Sequence, residues 1–370
     1  MQPASRRPAR EGGRELQATE CNPGRRSAAV HDNREDEMNR YLAGGIAAVT
    51  LLLAGTAPAS AQTTLKVSSF LPPNNAWQKE LEAWGEKLKE KSKGELTLEI
   101  FPAAQLGPPN RQYQLVTNGV ADIAVILHSA TPGRFPMTEL AGQPLTFPST
   151  GKTSEIMSRR LTELAPKYLA AEHPDTKILW MAVTPPLKLH TTKTDVTTVG
   201  DVNGLRVRYA GKVFQEILEA FGAAPLPIPP GETVDALSKG VADGAMFPYE
   251  ATKSFNLGSV VKYSLEPGLA SATFALVMNQ SVFDGLSPDD QKIIEETTGP
   301  ARAEAFGRRW DASEADGRQY MVDNNVKIET LSDEQIAPFK QAVEPIVKKA
   351  VDAVDAAGKP GGAFIAAYTK

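Results

Sequence analysis

The chain has almost no cysteine, and its one residue of this type, Cys21, lies near the amino terminus. It precedes a segment with the features of a cleaved leader, so the mature chain from residue 62 contains none. Disulfides, thiolate metal sites and a cysteine nucleophile are thereby excluded from the mature chain. A chain of this length, 370 residues in all, buries enough apolar surface to fold without covalent crosslinks.

Histidine is scarce as well, with four residues in the whole chain. They form neither His-x-x-His nor His-Glu-x-x-His, and the glycine patterns of nucleophile elbows and phosphate-binding loops are missing too. We therefore expect no metal, no cofactor and no enzymatic activity. Paired carboxylates are the exception, because distant Asp and Glu residues could meet in space. An exported hydrolase that uses two of them stays an alternative.

Charge of one sign is not concentrated anywhere in the mature chain. The formal net charge of the full 370-residue chain is −4, and no cluster of Lys and Arg stands out in its mature part. A basic cluster is the usual feature of proteins that bind nucleic acid or an anionic membrane surface. We therefore expect neither partner.

The first 61 residues divide into two parts. Residues 1–37 contain many Arg and Glu but few large apolar residues, so they are predicted to be disordered or to precede the true start. Residues 38–61 have a basic start, an apolar run over 42–55 and a small-residue cleavage site at 59–61, which is the pattern of a signal peptide. The apolar run is shorter than the roughly 20 residues of a membrane-spanning helix. The sequence thus predicts an exported protein.

Strand and helix patterns alternate from residue 62 to residue 185, which is typical of an α/β lobe. The strands show apolar runs or period-two alternation, and the helices show apolar residues on one face. The predicted order is a strand at 64–70, a helix around 77–88, a strand at 96–100, a helix at 111–118, a strand at 123–127, a helix at 153–171 and a strand at 177–182.

A second α/β lobe is predicted to begin with a strand at 187–192. Further along, apolar residues alternate with Arg206 and Arg208 over 205–209, as in a strand with one basic face. Ligands of α/β lobes collect at the carboxyl ends of the strands, and Arg208 is predicted to lie at such an end. The elements that follow are a helix at 212–222, a strand at 225–228, a helix at 233–239 and a strand at 242–247.

The last third of the chain is predicted to be mainly helical. A strand at 272–279, in which large apolar residues alternate with smaller ones, precedes it. Two long helical patterns cover 291–322 and 333–357, with a short strand near 326–329 between them.

The chain is expected to cross between the two lobes at three places. Two are short breaks in the pattern, at 184–186 and 271–273, and the third lies within the C-terminal helices. The domain bounds that follow are 62–185 with 273–313 for lobe I, and 186–272 with 314–370 for lobe II.

Several short segments, in order along the chain, resemble one known family. They include Phe-Pro-Ala-Ala-Gln-Leu-Gly at 101–107, Asn-Gly-Val-Ala-Asp-Ile-Ala at 118–124, Gly-Leu-Arg-Val-Arg at 204–208, Phe-Gly-Ala-Ala-Pro-Leu-Pro at 221–227 and Gly-Val-Ala-Asp-Gly at 240–244. Each is weak alone. Together they make the chain after residue 61 resemble the solute-binding subunits of tripartite ATP-independent periplasmic (TRAP) transporters.

The resemblance implies an α/β protein with the two-lobed, type II-like periplasmic-binding-protein fold, with hinge strands and a long lobe-spanning C-terminal helix. It also implies a mostly monomeric receptor in the periplasm that captures a small organic acid between its lobes. Such a receptor delivers the acid to the small and large membrane subunits of a permease. A receptor of an ATP-driven importer or of a sensor system is the alternative binding function.

Ligand contacts are implied by the resemblance as well. Arg208 falls where the family holds the ligand carboxylate by a salt bridge, and a guanidinium offers two parallel donors to such a group. Lys188 falls where family members often carry a second arginine, and His190 shares its strand face. A solvated lysine and a core histidine are the ordinary alternatives. A single point charge at Lys188 favours a monocarboxylate.

Phe247 takes the place of an asparagine that is common in the family. This exchange favours an aromatic or hydroxylated acid over a simple dicarboxylate, although Phe247 could also pack in the core. Tyr249 and Glu250 either bind a ligand hydroxyl or cap the following helix. The candidates from the first lobe are Phe70, Trp77 and His128, and Trp77 could equally be the first core residue of its helix.

Overall fold

A computed structural model describes residues 62–147 and 151–370. The predicted N-terminal extension and signal peptide lie outside these residues. The described chain contains two mixed β-sheets covered by helices, so the predicted α/β class is confirmed. In chain order the strands are β1 (Thr63–Ser68), β2 (Leu96–Phe101), β3 (Ile123–Leu127), β4 (Thr176–Val183), β5 (Lys188–Thr191), β6 (Arg206–Arg208), β7 (Ala224–Leu226), β8 (Gly244–Phe247), β9 (Tyr263–Glu266), β10 (Thr273–Asn279) and β11 (Lys327–Thr330).

The α-helices lie between these strands and dominate the C-terminal third. Six of them begin within two residues of the predicted positions, because their apolar faces and capping residues are local features of the sequence. The single helix predicted at 291–322 is instead two helices, because Gly299 has a positive φ and Pro300 begins the second helix. They are α1 (Ala76–Lys91), α2 (Gln112–Thr117), α3 (Pro136–Glu139), α4 (Thr153–Tyr168), α5 (Lys212–Ala220), α6 (Thr233–Ser238), α7 (Tyr249–Ser254), α8 (Gln280–Asp284), α9 (Pro288–Thr297), α10 (Pro300–Asp323), α11 (Asp333–Ala356) and α12 (Gly361–Tyr368).

The first sheet has the strand order β2-β1-β3-β10-β4. β1 is parallel to β2 and β3, as expected for strands joined by crossover helices. β10 comes from much later in the chain and inserts antiparallel between β3 and β4. The first sheet is therefore completed by a strand that follows five of the six strands of the second sheet in the sequence.

The second sheet has the strand order β11-β9-β5-β8-β6-β7. The strands β6, β7 and β8 are parallel, which agrees with the two crossovers predicted between them. β5 pairs antiparallel with β8 and β9. The carboxyl ends of β6 and β8 therefore lie side by side, and they carry Arg208 and Phe247.

Two short segments without a helix connect the sheets directly, and they run next to each other; the third connection, from β10 to β11, passes through α8, α9 and α10. The first joins β4 to β5 and the second joins β9 to β10. The Thr184 backbone N–H donates to the Ala272 carbonyl at 2.9 Å, and the Leu187 N–H donates to the Ala270 carbonyl at 2.9 Å. A pair of adjacent connecting strands is a suitable hinge for two lobes.

Helix α10 packs along both halves of the molecule. Near its start, the ring of Phe306 packs at a tilt of 56° against Trp77 of α1, with ring centroids 4.6 Å apart. Near its end, Gly317 lies directly against the backbone of Tyr249 in α7. Gly317 permits this approach because it has no Cβ.

Replacing Gly317 with Ala is expected to destabilise the protein by about 1–3 kcal/mol, the usual cost of overpacking. The new Cβ would overlap the Tyr249 carbonyl, which belongs to the backbone and cannot rotate away. Urea unfolding followed by circular dichroism measures the change. Asp316→Ala, at the exposed neighbouring position, is the control and should change stability by less than about 0.5 kcal/mol. Equal effects of the two substitutions would contradict the tight packing.

The two C-terminal helices, α11 and α12, pack against different sheets. In α11, Phe339 packs edge-on against Phe221, which follows α5 beside the second sheet, with centroids 5.2 Å apart. Phe364 and Tyr368 of α12 lie instead in the core cluster around the first sheet and α4. The residues of α12 thus pack against the first lobe, whereas the sequence analysis assigns them to the second.

None of the helices in the described ranges is both long enough and apolar enough to cross a lipid bilayer.

Candidate functional site

Arg208 ends strand β6 with a buried guanidinium, only 3% exposed. Its Nε donates to the Ile228 carbonyl at 3.0 Å, and one terminal nitrogen donates to the Met246 carbonyl at 3.1 Å. The guanidinium carbon lies 4.1 Å from the ring centroid of Phe247. These contacts fix the side chain and leave its other N–H donors for a further acceptor.

The charge of Arg208 has no acidic partner among the described residues; its hydrogen bonds go to carbonyl groups. Burial lowers the pKa of Arg208 to about 9, so the side chain is still charged at neutral pH. Arg206 on the same strand differs, since it is exposed and forms two hydrogen bonds to the carboxylate of Asp243, at 2.8 and 2.9 Å. A buried cation without a counter-ion is costly unless an anion binds to it.

Arg208 lies where two cavities meet. The outer cavity measures about 540 Å³ and is bordered by residues around Ser129 and Pro132 on one side and around Tyr209 and Pro229 on the other. The inner pocket is smaller, about 50 Å³. The residues that line both are Leu127, Arg208, Ala210 and Pro230.

The inner pocket has aromatic walls contributed by distant parts of the chain. Phe70 and Phe274 from the first lobe stack with centroids 6.2 Å apart, and Phe274 meets Trp310 of α10 edge-on at 5.5 Å. Phe247 closes the side next to Arg208. A guanidinium beside aromatic faces is a suitable environment for an apolar ring that carries one carboxylate.

Glu250 is the one acidic residue in the described lining of the inner pocket, and it is 5% exposed. Its carboxylate accepts from Asn75 Nδ2 at 3.0 Å on both oxygens, from the Ala76 N–H at 3.2 Å and from Ser254 Oγ at 2.5 Å. Asn75 is the N-cap of α1 in the first lobe. Glu250 therefore connects the two lobes at the base of the pocket.

A second contact between the lobes lies at the mouth of the pocket. Ser129 follows β3, and its hydroxyl donates to the Ala210 carbonyl at 2.5 Å. Gly211 comes next, with φ of 121°, a conformation that favours glycine. A Cβ at this position would overlap the side chain of Ser129. The two lobes thus touch across Gly211, as in a closed cleft.

Four of the residues predicted as ligand contacts line the inner pocket: Arg208, Phe247, Glu250 and Phe70. The other five lie outside the lining of both cavities. Lys188 forms a buried ion pair with Glu314 of α10, and its Nζ lies 4.9 Å from the ring centroid of Tyr249. Tyr249 is buried behind it in the core of the second lobe. The structure therefore does not place Lys188 as a free second cation for a ligand.

The histidines and Trp77 are also core residues. His128 Nδ1 lies 2.9 Å from the Thr273 carbonyl, and its Nε2 lies 3.2 Å from Nε2 of His173. Burial holds the pKa of His128 well below its usual value, so it is neutral at pH 7. Trp77 is fully buried and stacks on Trp180 at 5.8 Å. Neither side chain reaches the cavities around Arg208.

Because His190 is buried, we expect the free energy of unfolding to depend on pH. It is buried between the Ser264 hydroxyl, 2.7 Å away, and the Phe247 carbonyl, 3.0 Å away. Burial lowers the pKa of His190 to about 4, whereas the unfolded chain has the ordinary value of about 6.5. Below pH 6.5 the unfolded chain therefore binds a proton that the folded protein does not, and the free energy of unfolding falls with pH.

We expect this effect to reach about 2 kcal/mol by about pH 5. Urea unfolding at pH 7.5 and pH 5 of the native protein and of His190→Gln measures it, because the variant lacks the titrating group. The decrease between the two pH values should be smaller in the variant by about this amount. Equal decreases would show that His190 does not titrate between the two values.

Three polar or aromatic residues of the inner pocket stand out among those that sequence reasoning missed. Asn75, Phe274 and Trp310 come from a helix cap, a returning strand and a C-terminal helix. Asn75 precedes an apolar helical pattern and could have been recognised as an N-cap. For Phe274 and Trp310 no local signal separates a pocket wall from a core residue.

Metal binding has no support in the described residues. No group of three or more His, Cys, Asp or Glu side chains is placed there to hold a metal ion. The residues that line the inner pocket supply a cation, an anion and aromatic rings, which is a set of groups for binding and orienting a small molecule.

Known proteins agree with this architecture. The sequence model described as bacterial extracellular solute-binding protein, family 7, matches residues 67–353. A TRAP solute-binding protein from a marine metagenome, specific for aromatic acid ligands and crystallised with 3-hydroxybenzoate, is 31% identical with a TM-score of 0.79. That match covers 84% of this chain and 97% of the other.

Two further solved structures are similar over nearly their full length. A TRAP solute-binding protein of Rhodoferax ferrireducens T118, in complex with copurified benzoate, is 29% identical with a TM-score of 0.79 and covers 83% of this chain and 97% of its own. One of Bordetella bronchiseptica, with bound (R)- and (S)-mandelate, is 31% identical with a TM-score of 0.77 and covers 83% of this chain and 98% of its own.

Proposed function

This chain belongs to the bacterial extracellular solute-binding proteins of family 7, and we propose that the solute it binds is an aromatic monocarboxylic acid. As a TRAP-type receptor it captures a small organic acid between its lobes and works with membrane permease subunits. We expect it to act as a monomer in the periplasm, after removal of residues 1–61.

The observation that carries the proposal is the buried, unpaired guanidinium of Arg208 beside an aromatic pocket. Its two hydrogen bonds to carbonyl groups orient it before any ligand arrives. A carboxylate can then accept two parallel hydrogen bonds from the remaining donors, in a site from which water is largely excluded. Because the guanidinium is already fixed, little conformational entropy is lost on binding.

The aromatic walls of the inner pocket select the part of the ligand that does not contact Arg208. Phe70, Phe247 and Phe274 present ring faces or edges rather than hydrogen-bonding groups. A cavity of about 150 Å³ is enough for benzene, so the inner pocket alone is too small in this closed arrangement, but together with the outer cavity it is large enough. We expect the ring to lie at the junction of the two spaces, next to Arg208.

Binding and closure are coupled in this proposal. Arg208 and Phe247 belong to the second lobe, whereas Phe70 and Phe274 belong to the first. A ligand that contacts all four favours the closed form over the open one. The closed surface is then what the permease recognises.

The alternative functions have less support. The family match and the solved neighbours are TRAP receptors, which favours this system over an ATP-driven importer or a sensor. For a hydrolase with two carboxylates, the inner pocket offers only Glu250 among its described lining residues. We therefore propose capture without chemical conversion.

A thermal-shift screen of the purified protein tests the ligand class. The panel contains benzoate, the three hydroxybenzoates and mandelate, together with succinate, galacturonate and glucose. A ligand that binds only the folded state adds roughly 2.7 kcal/mol of stability at 100 times its dissociation constant. We expect stabilisation by at least one aromatic acid and none by glucose. Stabilisation by succinate or galacturonate alone would overturn the assignment of an aromatic acid.

A further inference from the structure

The inner pocket contains two buried charges of opposite sign, and neither has an ion-pair partner in the described chain. Arg208 is its only basic lining residue and Glu250 its only acidic one. Each is at most 5% exposed. The nearby cation, Lys188, is already paired with Glu314. A pocket of this kind suits a ligand with one anionic end and one end that donates a hydrogen bond.

The hydrogen bonds of Glu250 leave room for such a donor. Oε1 accepts from Asn75, Ala76 and Ser254, and Oε2 accepts from Asn75. The indole N–H of Trp310, which has no other partner among the described residues, is a further donor beside this carboxylate and lowers its pKa. A carboxylate oxygen has two lone pairs, so Oε2 can accept one more hydrogen bond. A buried acceptor with spare capacity is normally satisfied by water or by a ligand.

The donors around Glu250 also indicate its ionisation state. Asn75 Nδ2 and the Ala76 N–H can only donate, and they point to the carboxylate. Hydrogen bonds of this kind favour the charged form and oppose the effect of burial, which raises the pKa of Glu250. In this arrangement Glu250 acts as an acceptor.

We propose that the natural ligand is an aromatic acid with a hydroxyl or amino substituent, and that Glu250 accepts a hydrogen bond from this substituent. The inference rests on the proposed function, because it takes the carboxylate of the ligand to be held by Arg208. The role of Glu250 is to set specificity, since the carboxylate would be bound without it.

The buried carboxylate of Glu250 disfavours two kinds of ligand. A second carboxylate near Glu250 would face a like charge in a site with little water, which is strongly unfavourable. An unsubstituted ring would leave the spare acceptor of Glu250 without its hydrogen bond, which is costly in a buried site. The pocket should therefore bind a hydroxybenzoate more tightly than either benzoate or a benzenedicarboxylate.

Isothermal titration calorimetry with matched ligands tests the proposal. The probes are benzoate, the three hydroxybenzoates, their methyl ethers and isophthalate. We expect at least one hydroxybenzoate to bind about tenfold or more tightly than benzoate, the gain typical of a hydrogen bond to a charged group. Its methyl ether, which cannot donate, should lose this gain. Isophthalate should bind more weakly than benzoate.

The variant Glu250→Gln separates specificity from a structural role. Gln keeps the size of the side chain and removes the charge, so the preference for the hydroxybenzoate should fall to about threefold or less, and isophthalate should bind better than it does to the native protein. Glu99→Gln, at an exposed acid outside the lining of both cavities, is the control and should leave the preference unchanged.

The possible failures can be told apart. If no aromatic acid binds the native protein, the proposed function is wrong as well. If benzoate binds as tightly as every hydroxybenzoate, the function stands and the role of Glu250 is overturned. If Glu250→Gln weakens all ligands by one common factor, Glu250 only connects the lobes through Asn75 and Ala76, and the inference is again overturned.

Discussion

Arg208→Met is expected to weaken binding of an aromatic acid by about 2–5 kcal/mol, or roughly 30- to 4,000-fold. Met has a similar length and fills the space, but it offers no donor and no charge to the carboxylate. The loss is large because the cation is buried, where no water can replace it, and because it is held in position by Ile228 and Met246. Calorimetric titration of both proteins measures the difference.

Arg206→Met is the matched control for this experiment. Arg206 lies two residues earlier on the same strand, is exposed, and pairs with Asp243 on the surface. Its replacement should change ligand affinity by less than about threefold, because surface ion pairs contribute little. If the two variants bind alike, Arg208 is not the carboxylate site.

Arg208→Lys is the third variant, and it separates the effect of the charge from that of the guanidinium geometry. It retains the charge and can still donate to one of the two carbonyl groups, but a single ammonium replaces the two parallel donors. We expect an affinity between those of the native protein and Arg208→Met. A Lys variant with native affinity would show that charge alone, without the geometry of the guanidinium, is sufficient.

Gly211→Ala is expected to weaken ligand binding by about 10- to 100-fold through an effect on closure. The added Cβ would overlap Ser129 of the opposite lobe, and overpacking of this kind costs about 1–3 kcal/mol. An open form would lack this contact, so the overlap penalises only the closed form and reduces its population. Small-angle X-ray scattering with and without ligand should show a smaller compaction than in the native protein.

The double variant Gly211→Ala/Ser129→Gly separates the overlap from local strain. Gly211 has a positive φ, so Ala also strains the backbone in either form. Removing the side chain of Ser129 relieves the overlap but not the strain, and part of the lost affinity should return. No recovery would mean that the loss comes from the backbone of Gly211 rather than from contact between the lobes.

Local patterns were enough to predict most of the regular elements from the sequence. Strand β3 was predicted with its observed bounds, because a continuous apolar run between turn residues is a strong local signal. Strand β9 was missed, since only four residues form it and Pro267 follows directly. The insertion of β10 between β3 and β4 was also not predictable, because pairing between distant strands has no local signature.

The candidate site was predictable only in part. Arg208 and Phe247 could be named because they end neighbouring strands of one local unit and fall on motifs of a known family. Lys188 could not be judged from sequence, because it lies on strand β5 and its partner Glu314 lies 126 residues away on helix α10. In the same way, the aromatic walls combine Phe70 with Trp310, and only the folded chain brings them together.

The most direct measurement is a calorimetric titration with one pair of ligands, the hydroxybenzoate that stabilises the protein most and its neutral amide. The two molecules have nearly the same shape, and they differ in the carboxylate that Arg208 is proposed to hold. The acid should bind, and the amide should bind at least about 100-fold more weakly, since a buried cation then has no anion. Equal binding of acid and amide would contradict the carboxylate site at Arg208.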